Sequence, residues 1–256
     1  MRDMNVVLSN DDGIYAPGIR AFYNAIKDLA NVQIVAPSEE QSAVGHAITL
    51  FDPIKTKKAY KNGKLLGTAV SGTPADCVKL AICELCETPP DLVLSGINLG
   101  ANTGISVLYS GTVSAATEAT ILGIPSIAVS LCTFTDPLWD TAETIARNVF
   151  KYALESKMPS DALLNVNIPN LPLEEIKGTQ IVPVARSRFN EIFHKRTDPR
   201  GNLYYWLDGE LEILEDRKET DAHALNEGYV TITPISFDLT NYAAMDKMRG
   251  WNVTGP

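Results

Sequence analysis

The sequence of 256 residues predicts an α/β protein built on a doubly wound, mostly parallel sheet. The first observation is that short apolar runs alternate with segments of helical periodicity over the first 180 residues. The second is that these runs are rich in Val, Ile and Leu and lack polar alternation, as strands covered on both faces require. After about residue 180, aromatic residues and turn signals replace this pattern, which predicts a C-terminal α+β extension.

The elements of the core follow in chain order. Apolar runs bounded by polar or turn-forming residues predict strands over residues 6–9, 32–36, 92–95, 127–131 and 163–168. Helical spacing predicts helices over residues 19–29, 75–86, 113–122 and 141–155. In the first of these helices Phe22, Ile26 and Leu29 fall on one face. A Lys-rich stretch within residues 47–70 predicts a β-hairpin that turns at Asn62 and Gly63.

The extension is predicted to contain a second hairpin over residues 204–211, with its turn at Asp208 and Gly209. A strand over residues 229–233 and a short helix over residues 241–251 complete it. Its exposed aromatic residues suit an oligomer contact. We therefore expect one domain over residues 1–256, with a catalytic core over 1–180 and an extension for oligomerisation over 181–256.

Composition and charge narrow the classes of function. With 45% hydrophobic residues the chain can form a full core, and its net charge of -9 disfavours nucleic acid polymers and anionic membranes as partners. No apolar stretch approaches the roughly 20 residues of a membrane span. The four cysteines show no disulfide pattern and we expect no signal peptide, so the expected location is the cytoplasm.

Two adjacent carboxylates, Asp11 and Asp12, follow the first predicted strand and precede Gly13. Like charges this close repel each other unless a cation or a shared proton compensates them. Carboxylate oxygens are natural ligands of Mg²⁺, Mn²⁺ and Ca²⁺, so the pair indicates a metal site. The alternative is an ordinary turn at Asp12 and Gly13, with Asp11 as a cap of the next helix.

Three further polar segments occupy similar positions, and the carboxyl ends of parallel strands are where ligands bind in open sheets. They are residues 36–42, residues 95–104 and residues 109–112. Their hydroxyl, amide and carboxylate groups suit a hard cation and a phosphate. Gly96, Gly100 and Gly104 allow the backbone to approach a ligand closely.

Ser110, Gly111 and Thr112 open a predicted helix, where free N–H groups and the helix dipole attract a phosphate. The alternative is a plain Ser or Thr N-cap. A second Ser-Gly-Thr sequence, residues 71–73, opens another predicted helix. Because Asp76 complements the dipole of that helix, we favour a structural role there over contact with a substrate.

Other familiar chemistries are disfavoured. The sequence has no P-loop, no G-x-G-x-x-G after the first strand and no G-x-S-x-G. Cys83 and Cys86 form a C-x-x-C without a second ligand pair, so helix packing is favoured over zinc or redox chemistry. His46 is either a substrate contact or a surface histidine. Four residues either contact a base or ribose or pack on the surface: Tyr109, Arg186, Arg188 and Phe189.

These motifs together resemble the SurE family, the stationary-phase survival proteins that act as nucleoside 5'-monophosphate phosphatases. The matching stretches are residues 9–14 (SNDDGI), 71–78 (SGTPADCV), 91–102 (DLVLSGINLGAN), 109–113 (YSGTV), 165–169 (NVNIP) and 228–234 (GYVTITP). The resemblance covers essentially the whole chain in the same motif order. Residue 231 is Thr where the family pattern has Ser, and residues 43–46 differ from other members, which leaves the substrate preference open.

The resemblance implies a Rossmann-like core and one divalent metal per subunit, Mg²⁺ or Mn²⁺, held by Asp11, Asp12, Ser42 and Asn98. It implies a homodimer or homotetramer that exchanges the C-terminal extension between subunits. Asp11, Asp12 and Asn98 are the expected catalytic residues. The expected phosphate or substrate contacts are Asn10, Gly13, Gly96, Asn102, Ser110, Gly111 and Thr112.

The function expected from the sequence is therefore metal-dependent hydrolysis of nucleoside 5'-monophosphates to nucleoside and phosphate. Phosphomonoester hydrolysis is among the slowest uncatalysed reactions, so it requires strong stabilisation of charge. A metal-dependent nucleotide-binding regulator without turnover explains the same loops. A Rossmann oxidoreductase is disfavoured because a carboxylate pair replaces the glycine fingerprint.

Overall fold

The computed structural model describes residues 4–156, 158, 159 and 161–254. The strands assigned in this part of the chain are β1 (Asn5–Ser9), β2 (Asn31–Pro37), β3 (Thr56–Lys61), β4 (Lys64–Val70), β5 (Leu92–Leu99), β6 (Ser126–Cys132), β7 (Leu163–Pro169), β8 (Thr179–Ile181), β9 (Ser187–Thr197), β10 (Leu203–Ile213) and β11 (Val230–Ile235). The α-helices are α1 (Pro17–Ile26), α2 (Pro74–Leu80), α3 (Ser106–Tyr109), α4 (Gly111–Ile121), α5 (Trp139–Glu155), α6 (Asp221–Asn226) and α7 (Tyr242–Met248).

Nine strands form one sheet in the order β3, β4, β2, β1, β5, β6, β7, β11, β8. The central strands from β4 to β7 pair in parallel, while β3 and β11 run antiparallel to β4 and β7. The predicted mostly parallel α/β sheet is therefore confirmed. From β1 the chain proceeds to β2 on one side and later to β5 on the other. The crevice beyond β1 and β5 is thus the switch point where such sheets bind ligands.

Helices cover both faces of the central strands, which explains their lack of polar alternation. Val6 and Leu8 of β1 face a core cluster that contains Phe22 of α1 and Phe150 of α5. Val7 belongs to a second cluster on the opposite face, together with residues of α2 and α4. The side chains of one strand thus alternate between two cores rather than between core and solvent.

Two predicted elements differ clearly from the structure at their ends. The helix expected over residues 75–86 is α-helical only to Leu80 and continues as a π-helical turn, Ala81–Leu85. The strand expected over residues 92–95 extends to Leu99, with a register shift between Ser95 and Asn98. The glycine-rich loop therefore begins later than its composition indicated, because a bulge carries the strand past Gly96.

The turn predicted for the second hairpin was wrong, whereas the Asn62-Gly63 hairpin is confirmed. Asp208 and Gly209 lie inside β10, which pairs with β9 along its whole length. The turn lies at residues 198–202, where the Asp198 carboxylate accepts the backbone N–H groups of Arg200 and Asn202, both at 2.8 Å. Position 209 requires glycine for a reason other than a turn, because a Cβ there would lie 2.5 Å from the Asn190 carbonyl oxygen.

The β9 and β10 strands form a separate two-stranded sheet, which we call the arm. After it, β11 returns to the main sheet and pairs with both β7 and β8. The region after residue 180 therefore contributes to the core sheet as well as to the arm. The division into a core over 1–180 and an extension over 181–256 stays a prediction.

Candidate active site

A pocket of about 200 Å³ opens beyond the carboxyl ends of β1 and β5. Five of the predicted metal ligands and phosphate contacts line it, namely Asp11, Ser42, Asn98, Asn102 and Ser110, whereas the predicted ligand Asp12 is not among its lining residues. They come from four different segments of the chain, which the parallel topology brings to one edge of the sheet. The pocket therefore coincides with the site that the strand ends predicted.

Asp11 is buried at the inner wall of this pocket and is only 5% exposed. The Thr112 hydroxyl donates a hydrogen bond to its Oδ1. The Asp11 carbonyl oxygen accepts the Gln41 N–H at 2.8 Å, which ties the Ser42 segment to β1. Burial raises the pKa of Asp11 above its ordinary value, although the hydrogen bond from Thr112 opposes this effect. The fold thus holds this carboxylate in place at an electrostatic cost.

Asp12 lies beside Asp11 and is less buried. Burial, together with the negative charges of Asp11 and Glu40, raises the pKa of Asp12 to about 7. The backbone N–H of Leu99, at the end of β5, donates to Asp12 and partly opposes the shift. Neither carboxylate caps α1, since its N-cap residue is Ala16. The structure thus gives Asp11 no capping role.

The pocket contains the Asp11 carboxylate. Among the described residues that line it, none is Lys or Arg. The Asn98 Nδ2 group donates to the Gly100 carbonyl oxygen at 2.8 Å, which leaves Oδ1 as the free oxygen of that amide. The Ser42 hydroxyl donates to Glu40 at 2.7 Å and keeps its lone pairs. Carboxylate, amide and hydroxyl oxygens are the donor set of a hard divalent cation.

No cluster of three or more His, Cys, Asp or Glu side chains able to hold a metal occurs in the described part of the chain. The candidate ligand set contains two carboxylates, one hydroxyl and one amide, so it differs from such a cluster. Oxygen donors of this kind suit hard divalent cations better than they suit zinc.

Asn10 and Gly13 shape the loop between β1 and α1. Asn10 is fully buried and donates through Nδ2 to the Gly13 carbonyl oxygen at 3.0 Å. Its Oδ1 has no hydrogen-bond partner among the described residues, and the same holds for the hydroxyls of Ser9 and Ser95. Ser9 and Ser95 are paired across β1 and β5. Unpaired buried polar atoms are rare, so these oxygens are a distinctive feature of the strand ends that carry Asp11 and Asn98.

The N-terminus of α4 packs directly against Asp11. A Cβ on Gly111 would lie 2.7 Å from the Asp11 Cβ, so only glycine allows this approach. The Ser110 hydroxyl is the N-cap acceptor for the Val113 N–H at 3.1 Å. Thr112 is buried and directed at Asp11 rather than at open space. The capping alternative for Ser110 is therefore confirmed, and its position beside the pocket also places the positive helix end there.

Asn102 and Gly96, both predicted to contact the substrate, also make contacts that fix the backbone near the pocket. The Asn102 Nδ2 group donates to Ser130, and its backbone N–H and carbonyl oxygen are bonded to the side chains of Asn165 and Asn167. A Cβ on Gly96 would lie 2.3 Å from the Val129 carbonyl oxygen, and Gly96 does not line the pocket. These contacts fix the loop that carries the site.

Sequence reasoning missed a buried ionic cluster on α4. Glu118 is 3% exposed, with Lys79 Nζ and His46 Nε2 each 2.8 Å from one of its oxygens. Burial raises the pKa of Glu118, but the hydrogen bonds from His46 and Lys79 outweigh it and hold that pKa below its usual range. His46 is thus bound to the helix that opens at Ser110. The sequence signal for this cluster was Glu118 itself, which is the one charged residue in a helix of small or apolar residues.

The structural interpretation of the other Ser-Gly-Thr sequence is supported. Thr73 and Asp76 form a reciprocal capping box at the start of α2. The Asp76 carboxylate also accepts hydrogen bonds from Thr49. These bonds hold the pKa of Asp76 below its ordinary value against the raising effect of burial.

Of the four residues considered for a base or ribose, Tyr109 and Phe189 line the pocket. Arg188 is paired with Glu212 across the arm at 2.8 Å. Phe134, which sequence reasoning did not single out, also lines the pocket. Its segment follows β6, and a lone aromatic residue after a strand gave little signal.

In the described part of the chain, no helix combines the length and apolar character needed to cross a membrane.

Fold and site together define a class: an α/β protein with an acidic, oxygen-rich ligand pocket at the switch point of its sheet. The chain belongs to the SurE family, since the model described as Survival protein SurE matches residues 6–191. The resemblance inferred from the motifs is confirmed.

Similar proteins extend over nearly the full chain. A protein of Syntrophobacter fumaroxidans named 5'-nucleotidase SurE is 45% identical over 98% of this chain and 100% of its own length. A protein of Syntrophus aciditrophicus with the same name is 49% identical over 96% of this chain and 93% of its own. The crystal structure of the SurE protein from Aquifex aeolicus superposes with a TM-score of 0.82 at 42% identity, covering 95% of this chain and 98% of that one.

Proposed function

We propose that this chain is a divalent-metal-dependent 5'-nucleotidase that hydrolyses nucleoside 5'-monophosphates to nucleoside and phosphate. Family membership and the name 5'-nucleotidase SurE of its relatives support the reaction. The observation that carries the metal dependence is the buried carboxylate of Asp11 in a pocket whose described lining contains no Lys or Arg, with a second carboxylate, Asp12, next to it in the chain. A phosphate dianion would be repelled from such a pocket without a cation.

The proposed ligands of one Mg²⁺ or Mn²⁺ are Asp11, Asp12, Ser42 and Asn98. A bound divalent cation neutralises charge that develops on phosphoryl oxygens and lowers the pKa of a coordinated water. The free Oδ1 of Asn98 and the raised pKa values of both aspartates fit this role, because a cation relieves the repulsion between the carboxylates.

The remaining residues position the substrate and the carboxylates. Thr112 orients Asp11 through its hydroxyl, and Gly111 lets the helix end approach. The N-terminus of α4 offers free N–H groups and a positive dipole end to the phosphoryl oxygens. We assign proton transfer to Asp12, because it is the less buried of the two carboxylates and is therefore the more accessible to a water or a substrate oxygen.

The finer assembly is also a proposal. The arm pairs only with itself in the described chain and exposes apolar side chains on both strands. A homodimer or homotetramer that exchanges this extension would cover them. The four cysteines are free thiols, which supports a reducing, cytoplasmic location.

The proposed function is tested by phosphate release from AMP, GMP and p-nitrophenyl phosphate with Mn²⁺ or Mg²⁺, followed by addition of EDTA. Release that requires the metal and stops in EDTA is the expected result. If folded protein releases no phosphate with either metal but binds AMP, the chain is a nucleotide-binding regulator without turnover.

A further inference from the structure

Three aromatic side chains surround the mouth of the acidic pocket. Phe134, Tyr109 and Phe189 all line it, and their exposed fractions are 83%, 50% and 38%. They come from three separate segments, namely the turn after β6, the end of α3 and the start of β9. A single exposed aromatic residue is common on a protein surface and needs no explanation. Three that converge on one pocket indicate a site of interaction.

The backbone holds these rings at defined places. The Phe134 ring lies against Gly100, where a Cβ would be only 2.7 Å from its Cε1 atom. The rings of Tyr109 and Phe189 contact each other at an angle of 53°, with centroids 6.2 Å apart. The Tyr109 carbonyl oxygen accepts the Gly45 N–H at 3.1 Å, and Tyr109 directly precedes the N-cap of α4. All three rings are therefore anchored to segments that also carry the acidic site.

The size of the pocket limits what it can enclose. Its volume of about 200 Å³ lies below the range of about 300–1,000 Å³ that is usual for a whole small-molecule ligand. The polar residues that line it, among them Asp11, Ser42 and Asn98, suit the phosphate and its metal. Any further part of a phosphorylated substrate must then lie at the mouth, against the three rings. A flat, apolar π-system is the chemical group that such a surface favours.

We propose that Phe134, Tyr109 and Phe189 form a stacking subsite for the nucleobase, and that this subsite makes the enzyme prefer nucleotides, purines above pyrimidines, over phosphate esters without a base. This inference rests on the proposed function. Base stacking on an aromatic side chain tolerates any base, because every base has a π-face. A purine has a larger face than a pyrimidine and would therefore contact more of the three aromatic rings.

The test compares AMP with ribose 5-phosphate, which shares the phosphate and ribose but lacks the base. In Phe134→Ala, kcat/KM for AMP is expected to fall about 5- to 150-fold, mainly through KM, the usual cost of removing one stacking side chain. The value for ribose 5-phosphate is expected to stay within about twofold. Phe134→Trp is expected to retain AMP hydrolysis. Tyr60→Ala, on the distant edge strand β3, is the matched control and should change neither substrate.

Equal losses for both substrates in Phe134→Ala, or no loss for AMP, would overturn the subsite while leaving the phosphatase intact. If the wild type turns over neither substrate, the proposed function fails and the subsite is tested by calorimetry instead. In the presence of Mn²⁺, the wild type is then expected to bind AMP more tightly than ribose 5-phosphate, and Phe134→Ala to lose that difference. Equal affinities in the wild type would refute the subsite.

Discussion

The fold opposes the ionisation of Asp12. Its pKa rises from 3.8 to about 7, because of burial and the charges of Asp11 and Glu40. Below pH 4 it is protonated in both the folded and unfolded states. As the pH rises from about 4 to 7, the unfolded chain releases the proton while the folded chain retains it, so folding stability falls. This decrease is complete above pH 7.

Metal-free Asp12→Asn is therefore expected to be more stable than the metal-free wild type at pH 8 and nearly equal to it at pH 4. About 1 kcal/mol shifts the melting temperature of a protein this size by about 2–4 °C. Thermal melts in EDTA across this pH range measure the difference. A wild type that is as stable as the variant at pH 8 would contradict the raised pKa.

The same carboxylates are expected to be essential for turnover. Asp11→Asn and Asp12→Asn should each reduce phosphate release from AMP by more than about 100-fold, since even the loss of a partner outside the ligand shell costs about 10- to 100-fold. Both variants should keep a cooperative melting transition. Asp140→Asn, which removes a carboxylate from the first turn of α5, is the control. Activity near that of the wild type in either site variant would refute the assignment.

At the residue scale, the sequence was most informative where polar groups interrupt an apolar run. The location of Asp11 and of the segment 95–104 beside one pocket was predictable, because nothing in a buried parallel strand requires carboxylates or amides at its end. The assignment of Asp11, Asp12 and Asn98 as ligands stays a prediction. The position of Phe134 at the pocket was not predictable, because it depends on a contact with Gly100, which is distant in sequence. The pairing of Glu118 with His46 joins residues 72 positions apart and was equally hidden.

At the scale of elements, the approach of α4 to β1 determines the geometry of the site. Gly111→Ala would place a Cβ 2.7 Å from that of Asp11, so either the helix or the carboxylate must shift. A displacement of about 1 Å costs about 100-fold in rate. We expect kcat to fall by about that factor in the AMP assay. Gly250→Ala is the control, since a Cβ there meets nothing within 4 Å. Equal activity of both variants would contradict the account.

The elements themselves were predictable in type and order, and less so at their ends. Apolar periodicity located the central strands, because burial on both faces dictates their composition. The turn of the second hairpin was predicted at Asp208 and Gly209, because Asp-Gly is a common hairpin turn. The chain turns instead at residues 198–202, where Asp198 satisfies several backbone N–H groups. Such local competition between turns is decided by hydrogen bonds that composition does not show.

For the whole molecule, the arm is the part that a single chain leaves unexplained. A two-stranded hairpin is marginally stable by itself, yet Phe193 and Leu207 face each other across it with about 60% of each exposed. The double variant Phe193→Lys, Leu207→Glu keeps a favourable cross-strand pair while removing the apolar surface. We expect it to elute as a monomer in size exclusion with light scattering, unlike the wild type.

Leu65→Glu, an exposed site on β4, is the control for added charge and should leave the assembly unchanged. If the double variant has the same mass in solution as the wild type, the arm does not hold the subunits together. The change at residue 180 in composition would then reflect something other than oligomerisation.

The central claim is that the acidic pocket at the switch point holds one divalent cation, and Mn²⁺ binding tests it most directly. Titration of metal-free protein followed by electron paramagnetic resonance counts the bound Mn²⁺ without any need for turnover. We expect one Mn²⁺ per wild-type chain, and loss of that binding in Asp11→Asn and Asp12→Asn but not in Asp140→Asn. Undiminished Mn²⁺ binding in both site variants would contradict the account.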